Sequence, residues 1–289
     1  MKQEAPANAT GAKAWDKLLL PILIALPLLL VGIQWLSGQV RPGNLLLQVP
    51  QALPLAWLET SRAYFYLHLF TFIPVFALSF DRRVGYYKKW RYLLPAIIIV
   101  GAIFILWDVF FTVKGVWGFN EVYTSGFGLL GLPIEEWLFF FTVPFACVFI
   151  YLCLNAYIKR DLLAPVEKPL TLALAGLFLF IGFYYWGRLY TSTTFLLGGF
   201  FTLFHFLYLD GAYRARFYLA YLVSLAPFLL VNGVLTGAYT AQPVVLYNPE
   251  EYLGIRITSV PVDDAAYGFL LIFGVVTLFE RFRAGKHSS

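Results

Sequence analysis

The chain has 289 residues, 60% of them hydrophobic, 19% aromatic and 13% charged, with a formal net charge of +5. A soluble domain carries about 25% charged residues and cannot bury this much apolar surface, so the composition excludes a soluble globular protein and identifies an integral membrane protein. The basic residues fall in short loops, which reads as anchoring at the cytoplasmic membrane face and excludes a nucleic-acid partner.

Apolar stretches, most of them near the roughly 20 residues that span a bilayer, predict eight helices at 18–36, 64–80, 92–113, 136–157, 170–187, 194–209, 217–236 and 265–280. The first follows Lys17 and carries Pro21 and Pro27, which kink it. No small-residue cleavage site is clear and Gln34-Trp35 reads as an interfacial end, so an uncleaved helix is expected rather than a signal peptide. Arg82, Arg83, Lys88, Lys89 and Arg91 lie between the second and third helices. Near the end of the third, Trp107-Asp108 sets a carboxyl inside an apolar run, where it must find a partner or water. The loop 114–135 holds Trp117, Asn120, Gly126 and Pro133 and closes on Glu135-Glu136, just before Trp137 and Phe139-Phe140-Phe141.

Cys147 and Cys153 lie six residues apart in the fourth helix, on different faces, and read as small hydrophobes rather than a disulfide or metal site. The seventh helix carries Asn232. The loop 237–264 holds Asn248, Gly254 and Pro261 and closes on Asp263-Asp264, just before Tyr267. The eighth helix is short and calls for snorkelling by Arg281 and Arg283. His68, His205 and His287 are too few and scattered for a tri-histidine centre. Every net-basic loop falls on one side of an eight-helix bundle and both long, net-acidic loops on the other, which places both termini in the cytoplasm.

The acid pairs are duplicated. Pro133 stands thirteen residues after Asn120 and Pro261 thirteen after Asn248, and each proline is followed by one residue and two acids. Asp108 and Thr112 match Asn232 and Thr236, and Gly126 matches Gly254. The expected fold is an all-α polytopic transmembrane bundle of about eight helices, with two parallel three-helix repeats joined by a crossover helix. The corresponding units are an N-terminal segment with an extra helix (1–61), a first repeat (62–160), a linker with the crossover helix (161–193), a second repeat (194–282) and a polar tail (283–289). Repeats of this kind place a site at their interface. Gly126 and Gly254 suit turns, and the two prolines suit helix starts.

No phosphate loop, dinucleotide fingerprint, C-x-x-C or H-E-x-x-H is present, which points away from a cofactor or metal. Carboxyl chemistry in an aromatic chamber is what the residues offer. Desolvation and a second carboxyl nearby keep a proton available for donation, as a general acid requires. Asn120, Asn232 and Asn248 can hold such carboxyls without adding charge. Trp107, Trp117, Trp137, Phe140 and Tyr267 border the motifs, and ring faces stabilise cations. Two plainer readings stand beside these: acids cap helix N-termini, and aromatic residues anchor membrane interfaces.

The series Phe80-Asp81-Arg82-Arg83, Trp107-Asp108, Gly115-Val116-Trp117-Gly118-Phe119-Asn120 and Leu132-Pro133-Ile134-Glu135-Glu136-Trp137 resembles the first domain of the integral-membrane, heterodimer-type lycopene β-cyclases in their fused form. Val231-Asn232-Gly233-Val234-Leu235-Thr236, Tyr247-Asn248, Gly254-Ile255-Arg256-Ile257 and Pro261-Val262-Asp263-Asp264 resemble the second. The resemblance implies conversion of lycopene through γ-carotene to β-carotene, without flavin or metal, in an inner bacterial membrane among lipids and other carotenoid-pathway enzymes. It carries the catalytic role onto Glu135, Glu136, Asp263 and Asp264, with Asp108 beside them. Two departures stand out: relatives usually have glutamate where this chain has Asp263, and the first 60 residues are not expected in typical relatives. A membrane prenyltransferase-like enzyme and a carotenoid-binding or transport protein are the alternatives.

Overall fold

The computed structural model describes residues 53–209 and 211–285, together with Leu45 and several positions between 19 and 33. The expected first helix and the tail beyond Gly285 lie largely outside the described residues, although the described positions from 19 to 33 are helical. Seven α-helices follow: α1 (Ala63–Leu78), α2 (Trp90–Lys114), α3 (Ile134–Tyr157), α4 (Glu167–Tyr184), α5 (Leu189–Tyr208), α6 (Arg214–Leu235) and α7 (Val262–Ala284). Five of them, α2, α3, α4, α6 and α7, are long and apolar enough to cross a membrane. The chain is thus an all-α membrane-type bundle. The last helix, expected to be short, runs for 23 residues, because the acids at its start and Arg281 and Arg283 at its end belong to the helix rather than to the flanking segments.

The ends of the helices follow local chemistry. Gly115, at φ 72°, stops α2 and gives its N–H to carbonyls of the last turn, a conformation glycine adopts without penalty. Pro133 and Pro261 sit immediately before α3 and α7, where a missing N–H breaks no helical bond. Both acid pairs consequently fall in a first helical turn, next to the positive end of the helix dipole.

Helix α7 runs through the centre, with Leu271, Phe273, Val275, Val276 and Phe279 fully buried. It contacts α3 along the middle of the bundle; α2 and α5 pack on α7, while α1 and α6 pack on α3. Helix α4 lies outside against α5. Their backbones approach so closely that a Cβ on Gly199 would stand 2.8 Å from Leu179, and one on Gly182 would stand 2.7 Å from Leu196, the small-residue packing that membrane helices favour. A partly buried ion pair, Arg214 Nε to Glu167 Oε1 at 2.5 Å, ties the start of α6 to the start of α4.

The long loops carry short strands that sequence periodicity does not show: β1 (Trp117–Phe119), β2 (Gly128–Leu129), β3 (Leu132–Pro133), β4 (Val245–Tyr247), β5 (Arg256–Ile257) and β6 (Val260–Pro261). Antiparallel pairing of β1 with β4 sets Trp117 opposite Tyr247, Gly118 opposite Leu246 and Phe119 opposite Val245, joining the two loops across one end of the bundle. The hairpins β2–β3 and β5–β6 each lead directly into α3 and α7. Glu59, ahead of α1, accepts the Tyr123 hydroxyl at 2.7 Å and the Ala241 N–H at 2.6 Å, strapping both loops together.

Candidate active site

Successive helical residues point about 100° apart, so the two acids of a pair face different surroundings. Glu135 turns back toward the preceding loop, where its Oε1 accepts the Ser125 N–H at 2.8 Å. Asp263 does the same, accepting the Leu253 N–H at 3.2 Å and the Thr191 hydroxyl at 2.5 Å. Each acid thereby reaches a backbone N–H ten residues upstream. Glu135→Gln and Asp263→Asn are expected to cost about 1–3 kcal/mol in stability, the range for disturbing a buried hydrogen bond. Turnover per folded molecule should stay close to that of the unmodified protein, measured as rate against the folded fraction from thermal unfolding in detergent.

Glu136 and Asp264 face inward, and both line one cavity of about 60 Å³. Asp108 from α2, Asn232 from α6 and Tyr267 from α7 line it too, together with Trp117, Tyr64, Tyr190 and Tyr247. Tyr64 donates to Glu136 Oε2 at 2.5 Å. Asp264 receives three hydrogen bonds: from Tyr190 at 2.7 Å on Oδ1, and from Tyr247 at 2.8 Å and Asn232 at 3.0 Å on Oδ2. Trp117 Nε1 donates to Asp108 Oδ1. Asp108 Oδ2 and the Tyr267 hydroxyl have no hydrogen-bond partner among the described residues.

The loops hold these donors in place. Glu251 accepts the Leu189 N–H on its carboxylate at 2.7 Å and the Tyr190 N–H on its backbone carbonyl at 2.9 Å, fixing the first turn of α5. In β4, burial and then the Asp264 charge hold the Tyr247 phenol well above its usual range, so it keeps its proton and acts as a donor. Ring edges meet ring faces across the cavity: Trp117 lies 4.9 Å from Tyr190 and 5.9 Å from Tyr267, both near perpendicular.

Among the described residues no lysine or arginine lines the cavity, and the nearest cation to Asp264 is Arg256, over the ring of Tyr247 at 5.6 Å. Burying three negative charges together in an apolar space is costly, which favours sharing a proton among the three carboxyl groups. The hydrogen bonds divide the roles. Asp264, with three donors on two oxygens, is arranged as a carboxylate; Glu136 has a single donor and leaves its other oxygen uncommitted. The site can therefore donate a proton at one carboxyl and accept one at another, beside aromatic faces that favour a cation.

Of the residues singled out by sequence, Asp108, Glu136, Asp264, Asn232, Trp117 and Tyr267 meet in this cavity. The others do not. Asn120 and Asn248, expected to hold carboxyls, brace turns instead. Asn120 accepts the Val122 N–H at 3.1 Å and donates to Gln242 at 3.0 Å, and Asn248 accepts the Glu250 N–H at 3.1 Å. Trp137 donates to the Leu129 carbonyl at 3.2 Å. Phe140 packs against Phe139 and Phe104, and Trp107 against Tyr267 and Phe111. Sequence reasoning missed Tyr64, Tyr190 and Tyr247 as partners of the acids. A signal was present: Arg62-Ala63-Tyr64 and Arg188-Leu189-Tyr190 share an Arg-x-Tyr pattern, 126 positions apart. Among the described residues, no group of three His, Cys, Asp or Glu is placed to hold a metal ion.

The sequence model of a family described as lycopene cyclase matches residues 61–154 and 187–282, about two thirds of the chain. No curated protein and no solved structure matches it.

Proposed function

Because the chain belongs to the lycopene cyclase family, we propose that it converts lycopene through γ-carotene to β-carotene by proton-initiated ring closure at one composite site. The observation that carries this reading is the pair Glu136 and Asp264, hydrogen-bonded so unequally within one aromatic cavity. The Glu136 carboxyl gives its proton to the terminal double bond of the acyclic end. The electron pair of the next double bond attacks the resulting cation and closes the ring, moving the positive charge to a ring carbon. The Asp264 carboxylate then takes a proton from the adjacent carbon, and the freed pair forms the ring double bond. One proton enters and one leaves, so the substrate is isomerised without net oxidation or reduction, and no electron donor is needed. Trp117 and Tyr267 supply ring faces toward the cation, and Asp108 adds negative charge beside it.

In this reading α1–α3 and α5–α7 are two copies of one unit, and α4 is the crossover. Paired features support it. Gly126 and Gly254 have φ of 78° and 82°, and Leu130 and Thr258 have φ of 55° and 58°. Gly118 pairs across the loops with Leu246, its counterpart in the alignment of the copies. The first copy spans 62–160 and the second runs from the start of α5 to 282, so the second begins a few residues before the expected 194; the basic loops and both termini lie on the cytoplasmic side and the acid site toward the outer half of the membrane.

Purified protein in lipid vesicles is expected to form γ- and β-carotene from lycopene with a metal chelator present and flavin and nicotinamide absent, measured by chromatography of the extracted pigments. Turnover restored only by reduced flavin would overturn the proton-only mechanism. Lycopene that binds but emerges unchanged would make the chain a carotenoid-binding protein instead.

A further inference from the structure

Two clefts run along the bundle, and under the two-copy reading they are counterparts. One lies between α1, α3 and α6 and the other between α5, α7 and α2. Phe228 in the first corresponds to Phe104 in the second, Ala146 to Gly274, and Thr71 to Leu197. They differ sharply in space. The first encloses about 260 Å³, and Phe70 on its wall is 68% exposed, so the cleft opens sideways toward lipid. Phe139, Val143, Phe228 and Asn232 line both this cleft and the acid cavity, so the two are neighbours separated only by side chains they share.

The second cleft encloses about 30 Å³. Ile22, Leu26 and Pro27 of the N-terminal segment lie against it, and Phe104, Trp107, Leu197 and Phe201 on its walls are all buried. Among the described residues, a stretch of the chain outside the two copies thus closes one of the two openings, and none of it lies against the other.

We infer that the substrate polyene enters end first from the bilayer through the cleft between α1, α3 and α6, and that the N-terminal segment blocks the corresponding cleft, leaving one lateral entrance for both ends of the molecule. The inference rests on the proposed cyclase reading for the identity of the polyene. A forty-carbon hydrocarbon is about as long as the bilayer core is thick and partitions there rather than into water. It needs an apolar path that reaches the carboxyls from the side, and of the two clefts only the first shares wall residues with the acid cavity and carries an exposed apolar wall among the described residues. With one entrance, the first ring must leave before the second end arrives. γ-Carotene is therefore released and rebound between the two closures.

The test fills each cleft in the full-length protein. Ala146→Trp places an indole in the open cleft, and Ile103→Trp places one on the half-buried wall of the blocked cleft. Turnover is read in lycopene-loaded vesicles; binding is read separately, from the shift of the carotenoid absorption bands on a Glu136→Gln background. Ala146→Trp is expected to lower both by about tenfold or more, the scale of an overpacked site, while Ile103→Trp leaves both near the parent level. Wild-type binding and turnover in Ala146→Trp, or an equal loss in Ile103→Trp, would overturn the inference. Binding lost in Ala146→Trp in a protein that never cyclises lycopene would keep the cleft and reject the cyclase reading. Should Ala146→Trp aggregate in detergent, Ala146→Leu gives the same comparison with a smaller expected loss, and no loss from it counts against the cleft.

Discussion

Glu136→Gln is expected to lower lycopene turnover by about 10²- to 10⁴-fold, the range that a positioned general acid contributes. The substitution keeps side-chain volume and leaves an amide oxygen to accept the Tyr64 hydrogen bond, which is 2.5 Å long in the native site. Folding and lycopene binding should therefore survive, so the loss falls on the chemical step. Glu136→Asp keeps the acid but withdraws it by one methylene, over about 1 Å, and is expected to give an intermediate rate because proton transfer tolerates little misplacement. The rate of β-carotene formation per folded molecule in vesicles decides the matter. Wild-type turnover in the glutamine variant would remove Glu136 as the proton donor.

For Asp264→Asn, both ring closures are expected to fail together, again by about 10²- to 10⁴-fold, with no γ-carotene left as a stable product. The reason is geometric. Glu136 and Asp264 come from different halves of the chain yet face the same cavity, so disabling either carboxyl disables the only composite site in the proposed scheme. An asparagine also cannot serve three donors as a carboxylate does: Tyr190, Tyr247 and Asn232 would compete for one carbonyl oxygen. A stability loss of about 1–3 kcal/mol should accompany the kinetic one. Tyr190→Phe separates the two effects, since it removes one hydrogen bond and keeps the carboxylate; a partial loss of rate is expected. Steady accumulation of γ-carotene by Asp264→Asn, with the first closure at normal speed, would show that each half handles its own end of lycopene.

The departure at Asp263 takes on a different meaning once the side chains are placed. A shorter acid there would threaten a proton transfer if it faced the substrate. It instead ties α7 to Leu253 of the preceding loop and to Thr191 of α5, and does not line the acid cavity. The reacting position of the second half, in this proposal, is Asp264.

Much of the bundle was legible in the sequence because apolar length is a strong signal in a membrane protein: the second to eighth helices expected from it all occur, with their ends displaced by a few residues. Pro133 and Pro261 marked the starts of α3 and α7, since proline is tolerated at a helix start and breaks a helix interior. The acids following them were conspicuous because charge is scarce in such a chain.

Which acid of each pair faces the cavity was not legible. Helices that are apolar nearly all round have no amphipathic stripe to say which side points inward, and adjacent acids differ by a rotation of about 100°. Only the packing of α3 against α7 and the pairing of β1 with β4 turn Glu136 and Asp264 toward one another's cavity and leave Glu135 and Asp263 as braces. The same holds for Tyr64 and Tyr190, which stand 72 and 74 positions from the acids they serve. The sequence by itself determined a membrane bundle with duplicated carboxyls. The tertiary structure decided that these carboxyls meet in one cavity, and that a cleft between α1, α3 and α6 lies beside it, because both depend on contacts between segments far apart in the chain.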